Sequence, residues 1–343
     1  MKNYGLDLLK EAAEVSLKDW EFFASAPLKG LAENIDTAKY LPVGEIQRGR
    51  EDFMDCATRD KVNSLEAKFT YLYQTRQLDL DNIKWLEDND YIVDNRVVFS
   101  DRFIAILSGT TRQGNSMKAP LEAIKDYGLI PKTLLPAEKW MMWSDYHNKS
   151  KITQNLKDLG KEFLTRFKLN YERIYQADFP FIIKKDMICV AGFAWGRPTN
   201  GIYKRVSNSP NHAFLYFKKP AYMIFDNYID SYDGDFIKQL ASDYWLYPYG
   251  YRAIVNEVAK KKIMIPLKRE ENSKKVFAIV DGVKYWINDW KNLGNFYKMF
   301  GYPSLKEAQD AVEEVGENHL NHFPNAGVIG NPSIIDFLFG RNK

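Results

Sequence analysis

The sequence is poor in the side chains that most often act as nucleophiles and metal ligands. Its 343 residues include only two cysteines, Cys56 and Cys189, and four histidines. Two cysteines can form at most one disulfide, which indicates a reducing compartment or a chain that is stable without disulfides. The few cysteines and histidines also stand at spacings that match no structural zinc motif. We therefore expect no structural zinc site.

The sequence also lacks an excess of charge of either sign and any long apolar run. Lys and Arg number 48 against 45 Asp and Glu, and a net charge of +3 is too small for a dedicated nucleic-acid surface. No apolar run is long enough to span a bilayer, and the N-terminus lacks the apolar core of a secretory signal. We expect no nucleic-acid partner and no membrane span, and a cytoplasmic or virion-associated location.

Helical patterns dominate the first half of the chain. Residues 6–26 alternate apolar and charged side chains, so they predict an amphipathic helix within an N-terminal segment, 1–39. Such a helix is either a removable prosegment or a helix packed on the body, and we favour packing. Further helices are predicted after Cys56, over 99–109, over 116–127 and along 151–175.

Strand patterns dominate the second half. Apolar runs at 187–193 and 249–255 predict strands, and 212–217 with 222–225 predict a hairpin. The predicted fold is therefore α+β, with a helical half followed by an antiparallel, strand-rich half over residues 40–267. The charged run 268–275 predicts an exposed linker. Beyond it, a hairpin around Asp281-Gly282 and a helical pattern predict a small α/β domain, 268–343, that docks a protein or cell-envelope partner.

The cysteine at position 56 is the first candidate for chemistry. Cys56 follows Asp55 where a loop turns into a helix, so its thiol meets unpaired backbone N–H groups and the positive end of the helix dipole. Both stabilise a thiolate, and we expect a low pKa for this thiol. From these residues alone, a small buried core cysteine remains the alternative. Cys189 lies in an apolar strand pattern and is expected to be inert core.

A histidine and an aspartate frame the predicted hairpin. His212 opens the first strand and Asp226 follows the returning strand, so the hairpin can bring the carboxylate beside the imidazole. In a nucleophile–base–orienter set, such a carboxylate fixes the tautomer and stabilises the imidazolium. A core histidine with a turn aspartate is the alternative. His147 lies in a polar stretch and is expected to be solvated.

The order of helix-borne Cys56, strand-borne His212 and Asp226 resembles the papain-like cysteine peptidase family. Further segments carry the resemblance across residues 40–258: Gln47-Arg48-Gly49, Phe99-Ser100-Asp101-Arg102-Phe103, Gln113-Gly114-Asn115-Ser116, Asn211-His212-Ala213, Phe225-Asp226-Asn227-Tyr228 and Tyr249-Gly250-Tyr251-Arg252. The resemblance implies a two-part fold with a substrate cleft between the parts. It also implies a peptide or protein substrate, a thioester intermediate, and no metal or organic cofactor.

The resemblance assigns roles by position. It makes Cys56 the nucleophile, His212 the base and Asp226 the orienter, with Asn227 as the alternative orienter. The side-chain amide of Gln47 and the backbone N–H of Cys56 would hold the oxyanion. Four further residues would line the substrate cleft: Gly114, Asn115, Asn211 and Tyr228.

Several departures indicate a divergent bacterial or phage-borne member. Gln47 lies nine positions before Cys56, farther than usual, and the glycines, second cysteine and tryptophan around the usual nucleophile are absent. Asp226 stands where the family has asparagine and adds a charge. The alternative is a catalytically silent, papain-like binding or virion structural protein. Asp-Cys also resembles the peptidoglycan-cleaving NlpC/P60 group, in which the histidine follows much sooner than it does here.

Overall fold

The structure is a computed structural model that describes most of the first three quarters of the chain and parts of the remainder. The described residues are 5–14, 36–44, 46–192, 199–204, 210–218, 222–228, 235–244, 246–257, 267–270, 276–280, 283–287, 304–315 and 325–329. The chain divides into two compact units, Met1–Val258 and Ala259–Lys343.

The elements of both units are numbered along the chain. The described helices are α1 Leu8–Glu14, α2 Cys56–Gln74, α3 Leu80–Asp88, α4 Asp101–Leu107, α5 Ala119–Tyr127, α6 Trp143–Tyr146, α7 Gln154–Arg166, α8 Phe179–Ile182 and α9 Leu305–Asp310. The described strands are β1 Ile92–Val93, β2 Arg96–Val97, β3 Phe167–Tyr175, β4 Ile188–Gly192, β5 Ile202–Tyr203, β6 His212–Lys218, β7 Met223–Phe225, β8 Ile237–Leu240, β9 Leu246–Glu257, β10 Leu267–Glu270, β11 Val276–Val280, β12 Val283–Ile287, β13 Glu313–Val315 and β14 Asn325–Ile329.

The first unit is packed around α2, which is buried on all sides from Cys56 to Tyr73. The sequence predicts a single apolar stripe for this helix, but its charged side chains are buried as well because they are paired. Arg59 Nε lies 3.0 Å from both carboxylate oxygens of Asp55, and its Nη1 lies 3.1 Å from Asp101 Oδ2. Pairing of this kind offsets the large desolvation cost of burying a charge. These contacts fix the start of α2 through Asp55 and connect α2 to α4 through Asp101.

The remaining helices largely follow the sequence prediction. Ser100 caps α4 by accepting a hydrogen bond from Phe103 N at 3.1 Å, and α5 ends at Gly128 with a φ of 73°. These helices confirm the predictions over 99–109 and 116–127. The helical prediction along 151–175 is wrong beyond Arg166, because residues 167–175 form β3 and pair with β9 along their whole length. The partner is remote in sequence, and helical spacing cannot reveal it.

The strand-rich half is one seven-stranded sheet in the order β3-β9-β4-β6-β7-β8-β5. Neighbouring strands are antiparallel except β5 with β8. The predicted hairpin is β6 with β7, and the predicted strand at 187–193 is β4, with Phe193 outside the described residues. The α+β division into a helical half and an antiparallel, strand-rich half is confirmed.

The second unit contains a five-stranded mixed sheet in the order β13-β10-β11-β12-β14. The predicted hairpin is β11 with β12, while its turn lies outside the described residues. The exposed-linker prediction is wrong for residues 268–270, which belong to β10 and pair with both β11 and β13. The charged side chains of β10 are paired with acidic residues of β13: Lys268 Nζ lies 3.0 Å from Glu313 Oε2, and Arg269 Nη2 lies 3.1 Å from Glu314 Oε2. Leu267, at the start of the strand, is buried.

Candidate active site

The thiol of Cys56 lies at the first residue of α2, directly beneath the start of β6. The N-cap residue is Asp55, whose carbonyl accepts hydrogen bonds from Thr58 N at 2.8 Å and Arg59 N at 2.9 Å. The Cys56 side chain is hydrogen-bonded to the His212 side chain and to the backbone of Ala213. The helix start and the strand start therefore meet at the sulfur.

The imidazole of His212 has a carboxylate on its other side. Its Nε2 lies 2.7 Å from Asp226 Oδ1, and both side chains are almost completely buried. Two pairings produce this geometry: His212 is opposite Gly192 at the end of β4, and β6 pairs with β7, after which Asp226 follows directly. The remaining ring nitrogen, Nδ1, is left for Cys56. Tyr228 packs edge-on against the imidazole, with ring centroids 6.1 Å apart.

Asp226 has a second charged partner that the sequence did not reveal. Lys238 Nζ lies 3.2 Å from Asp226 Oδ2, and Lys238 is 1% exposed. In β8 the exposed Ile237 alternates with the buried Lys238, so the lysine points inward. The sequence offers no signal for this contact, because residue type alone would place Ile237 in the core and Lys238 in solvent.

A loop brings Gln47 back towards Cys56 despite the nine-residue spacing. Arg48 and Asp52 form an isolated antiparallel β-bridge through their backbones, and Phe53 N donates to Gln47 O at 3.2 Å. Residues 48–52 therefore form a closed turn. Gln47 is thereby hydrogen-bonded to Phe53, a residue only three positions before Cys56. Its side-chain Nε2 donates to Asp52 Oδ1 at 3.2 Å, and its backbone N donates to Asn227 O at 2.8 Å.

Two other predicted site residues, Asn227 and Asn211, are hydrogen-bonded to residues of α2 and β4. Asn227, the alternative orienter, receives a hydrogen bond from Asn63 on α2. Asn211 is buried and donates its backbone N–H to Gly192 O at 3.1 Å. Asn227 thus connects α2 to the loop that carries Asp226.

An N-terminal segment, residues 5–14, lies over the thiol and along the predicted substrate positions Gly114 and Asn115. Asn115 N donates to Gly5 O at 3.0 Å, and Asp7 N donates to Asn115 O at 2.8 Å. A Cβ placed on Gly5 would lie 3.1 Å from Cys56 Sγ, and one on Gly114 would lie 2.1 Å from the Gly5 carbonyl carbon. Both glycines have a positive φ, so they permit this backbone approach where other residues would be strained.

A buried carboxylate anchors the same segment. Glu11, on α1, is fully buried; its Oε1 accepts hydrogen bonds from Tyr249 OH at 2.8 Å and Tyr251 OH at 3.1 Å. Its Oε2 accepts from Met117 N at 2.6 Å. Lys10 Nζ also donates to Asn115 Oδ1 at 2.6 Å. The described part of the predicted N-terminal helix is therefore packed on the first unit, and residues 15–35 lie outside the described residues.

Burial under this segment changes the electrostatics of the pair. Burial raises the pKa of Cys56, although the charge of His212 and hydrogen bonds from His212 and Ala213 oppose that rise. The expectation of a low thiol pKa is therefore wrong for this closed arrangement. Burial would lower the pKa of His212, but the charges of Asp226 and Cys56 and hydrogen bonds to both hold it well above the ordinary value.

The second cysteine and a further histidine are held by other contacts. Cys189 is buried in β4, where Sγ donates to Asp60 O at 3.3 Å and burial raises the pKa of its thiol. The expectation that His147 is solvated is wrong: it is buried, and its Nε2 lies 2.8 Å from Phe53 O. The stacked ring pair of Phe53 and Tyr146 explains its burial, because His147 packs against Tyr146.

The described residues contain neither a cluster of metal-ligating side chains nor a helix that could span a membrane. No group of three His, Cys, Asp or Glu side chains in the described part of the chain is arranged to hold a metal ion. Within the same residues, no helix has the length and apolar character needed to cross a membrane.

Comparison with known proteins finds likeness in structure only. No protein-family model and no curated protein matches the sequence. Xylellain, a cysteine protease from Xylella fastidiosa, is 10% identical with a TM-score of 0.46, covering 75% of this chain and 96% of that one. The clostridial cysteine protease Cwp84 is 11% identical with a TM-score of 0.44, covering 70% and 61%. Procathepsin L2 from Tenebrio molitor larval midgut is 10% identical with a TM-score of 0.43, covering 74% and 78%.

Proposed function

We propose that this protein is a cysteine peptidase that uses Cys56, His212 and Asp226. The observation that carries the proposal is the contact series from the Cys56 thiol through the His212 imidazole to Asp226 Oδ1, the last step being 2.7 Å. A thiol, a base and an orienting carboxylate in this order are the parts that acyl transfer through a covalent intermediate requires.

The proposed reaction has two halves. His212 Nδ1 takes the thiol proton as Cys56 sulfur attacks the carbonyl carbon of a peptide bond, and the C–N bond then breaks as the imidazolium protonates the leaving amine. The result is a thioester on Cys56 and a free amine. In the second half, His212 removes a proton from water, the hydroxyl attacks the thioester, and a carboxylic acid leaves as the thiol is regenerated.

The oxyanion in both halves needs donors close to Cys56. Cys56 is the first residue of α2, and the first N–H groups of a helix have no acceptor within the helix. The closed turn over 48–52 supports Gln47 as the second donor, because it returns the chain to the vicinity of Cys56. Donors of this kind contribute about a hundred- to a thousandfold each in related chemistry.

One observation favours a silent or regulated form as the second candidate. Cys56 is 2% exposed, and the N-terminal segment lies where Gly114 and Asn115 would meet a substrate. Because Gly5 approaches the sulfur closely, we infer that residues 5–7 move before a substrate reaches it. A chain in which they never move would be a papain-like binding protein, and the second unit, which holds none of the proposed catalytic residues, would then carry the binding role.

The test is labelling and turnover with the full chain. We expect a peptide-epoxide reagent to modify Cys56 and a mixed fluorogenic peptide library to be cleaved, and both to be lost in Cys56→Ala and His212→Ala. Cys189→Ala is the matched control, because it removes the other buried thiol while leaving the site intact. Turnover retained in a folded Cys56→Ala variant would overturn the proposal, and absence of labelling in every variant would favour the silent form.

A further inference from the structure

The carboxylate that orients His212 is shared with a buried lysine. Asp226 Oδ1 faces His212 Nε2 at 2.7 Å, while Asp226 Oδ2 lies 3.2 Å from Lys238 Nζ. We propose that Lys238 is a positioning residue that makes the Asp226–Lys238 pair an electrically neutral orienter of the imidazole. This inference rests on the proposed function, in which His212 is the base.

The ammonium group of Lys238 is fixed in place by its other contacts. Besides Asp226, its Nζ donates to Asp235 O at 2.7 Å and to Tyr228 O at 3.0 Å. An ammonium group has three N–H donors, so three acceptors match its capacity. These acceptors belong to the chain between Asp226 and β8, and Lys238 therefore ties the orienting residue to β8.

The positive charge of Lys238 compensates for the negative charge that Asp226 adds at the orienting position. The resembling family has a neutral asparagine at the orienting position, whereas this chain has Asp226. A buried carboxylate with only an imidazole partner attracts the imidazole proton strongly and is costly to desolvate. With Lys238 on the outer oxygen, the pair has no net charge, as an asparagine side chain has none.

A second carboxylate that acts on His212 is also paired with a buried lysine. Cys56 and Asp60 face it from α2, Asp226 faces it from the loop after β7, and Tyr228 packs on its ring. Asp60 has a lysine of its own, since Lys61 Nζ lies 2.8 Å from Asp60 Oδ2 and both are buried. Each carboxylate that acts on the imidazole is thus balanced by a separate buried lysine.

The test measures the protonation of His212 directly. In the full chain with isotope-labelled histidine, the NMR titration midpoint of His212, assigned by its loss in His212→Gln, is compared among variants. Lys238→Met leaves Asp226 uncompensated, so we expect the midpoint to rise by about one to two pH units. Asp226→Asn leaves the lysine uncompensated, so we expect the midpoint to fall.

Two further variants separate charge from packing. Lys238→Arg restores the charge and is expected to return the midpoint to within about 0.5 unit of the original. The double variant Asp226→Asn/Lys238→Met restores neutrality and is expected to lie closer to the original than either single variant. Lys68→Met is the matched control, because Lys68, on α2, forms a similar buried pair with Asp186 at 2.8 Å. This substitution should leave the His212 midpoint unchanged.

Each outcome bears on the inference. A Lys238→Met midpoint that stays at the original value would overturn it, as would a double variant shifted further than the single ones. If Lys238→Met does not fold, a folded double variant with a near-original midpoint supports the neutral pair, and failure of both to fold overturns it. Failure of the proposed function is distinguishable, because peptide turnover would then be absent while the His212 midpoints still shift.

Discussion

Weakening the anchor of the N-terminal segment should expose Cys56 in a graded way. Glu11 is fully buried and accepts three hydrogen bonds, from Tyr249 OH, Tyr251 OH and Met117 N. Glu11→Ala leaves two buried donors, Tyr251 OH and Met117 N, and the half-buried Tyr249 OH without that acceptor while the segment is in place. When the segment moves away, water satisfies the same donors. The substitution therefore destabilises the closed arrangement much more than the open one.

The magnitude follows from the number of bonds. A buried donor without its acceptor costs about 1 to 3 kcal/mol, so the two buried donors and the half-buried one together disfavour the closed arrangement by about 3 kcal/mol. Since each 1.4 kcal/mol is tenfold in an equilibrium constant, the open fraction should rise roughly a hundredfold. Glu11→Gln keeps an acceptor for two of the three bonds and should give roughly a tenfold rise.

The assay is the rate at which iodoacetamide alkylates Cys56 in the folded protein, read by mass spectrometry of the peptide. Cys189, buried in β4, reports global unfolding in the same sample. Glu87→Gln is the matched control, because it weakens a similar tyrosine contact, Tyr73 OH to Glu87 Oε1 at 2.8 Å, away from the segment. An unchanged Cys56 rate in a folded Glu11→Ala variant, or an equal rise at Cys189, would refute the reasoning.

Two further predictions concern stability and the division of the chain. Burial raises the pKa of Asp60 to about 7, so its contribution to stability is complete below the unfolded pKa near 4 and is lost as the pH rises through 7. Between pH 4 and 7 this loss lowers the free energy of unfolding by up to about 4 kcal/mol. Asp60→Asn should abolish that decline, as measured by urea titration with Asp88→Asn as the exposed control. A chain ending at Val258, the last residue of the first compact unit, should fold and keep the alkylation rate of Cys56; a faster rate would indicate an inhibitory second unit, and an insoluble product would mean that the division is wrong.

The predictable parts of the site are those with local signals. Cys56 at a helix start and His212 at a strand start follow from spacing, and the β6–β7 hairpin brings Asp226 to the imidazole without any long-range information. Lys238 escaped prediction because an inward lysine is recognisable only once its acceptors are in place. The contact between Gly5 and Gly114 joins residues more than a hundred positions apart, and no pattern in either stretch indicates the other.

The expected low pKa of Cys56 is wrong because the sequence does not reveal that Gly5 lies close to the thiol. The expectation from the sequence took into account the helix start and His212, both of which favour the thiolate. That expectation did not include Gly5, which lies close to the sulfur; burial of Cys56 outweighs the helix start and His212 and raises the pKa of the thiol. Once the segment moves, the desolvation ends while His212, the Ala213 backbone and the helix start remain. The low pKa expected from the sequence should therefore belong to the open arrangement, and the pH midpoint of Cys56 alkylation should be lower in Glu11→Ala than in the unaltered chain. Equal midpoints would mean that the segment controls access to the sulfur without controlling its protonation.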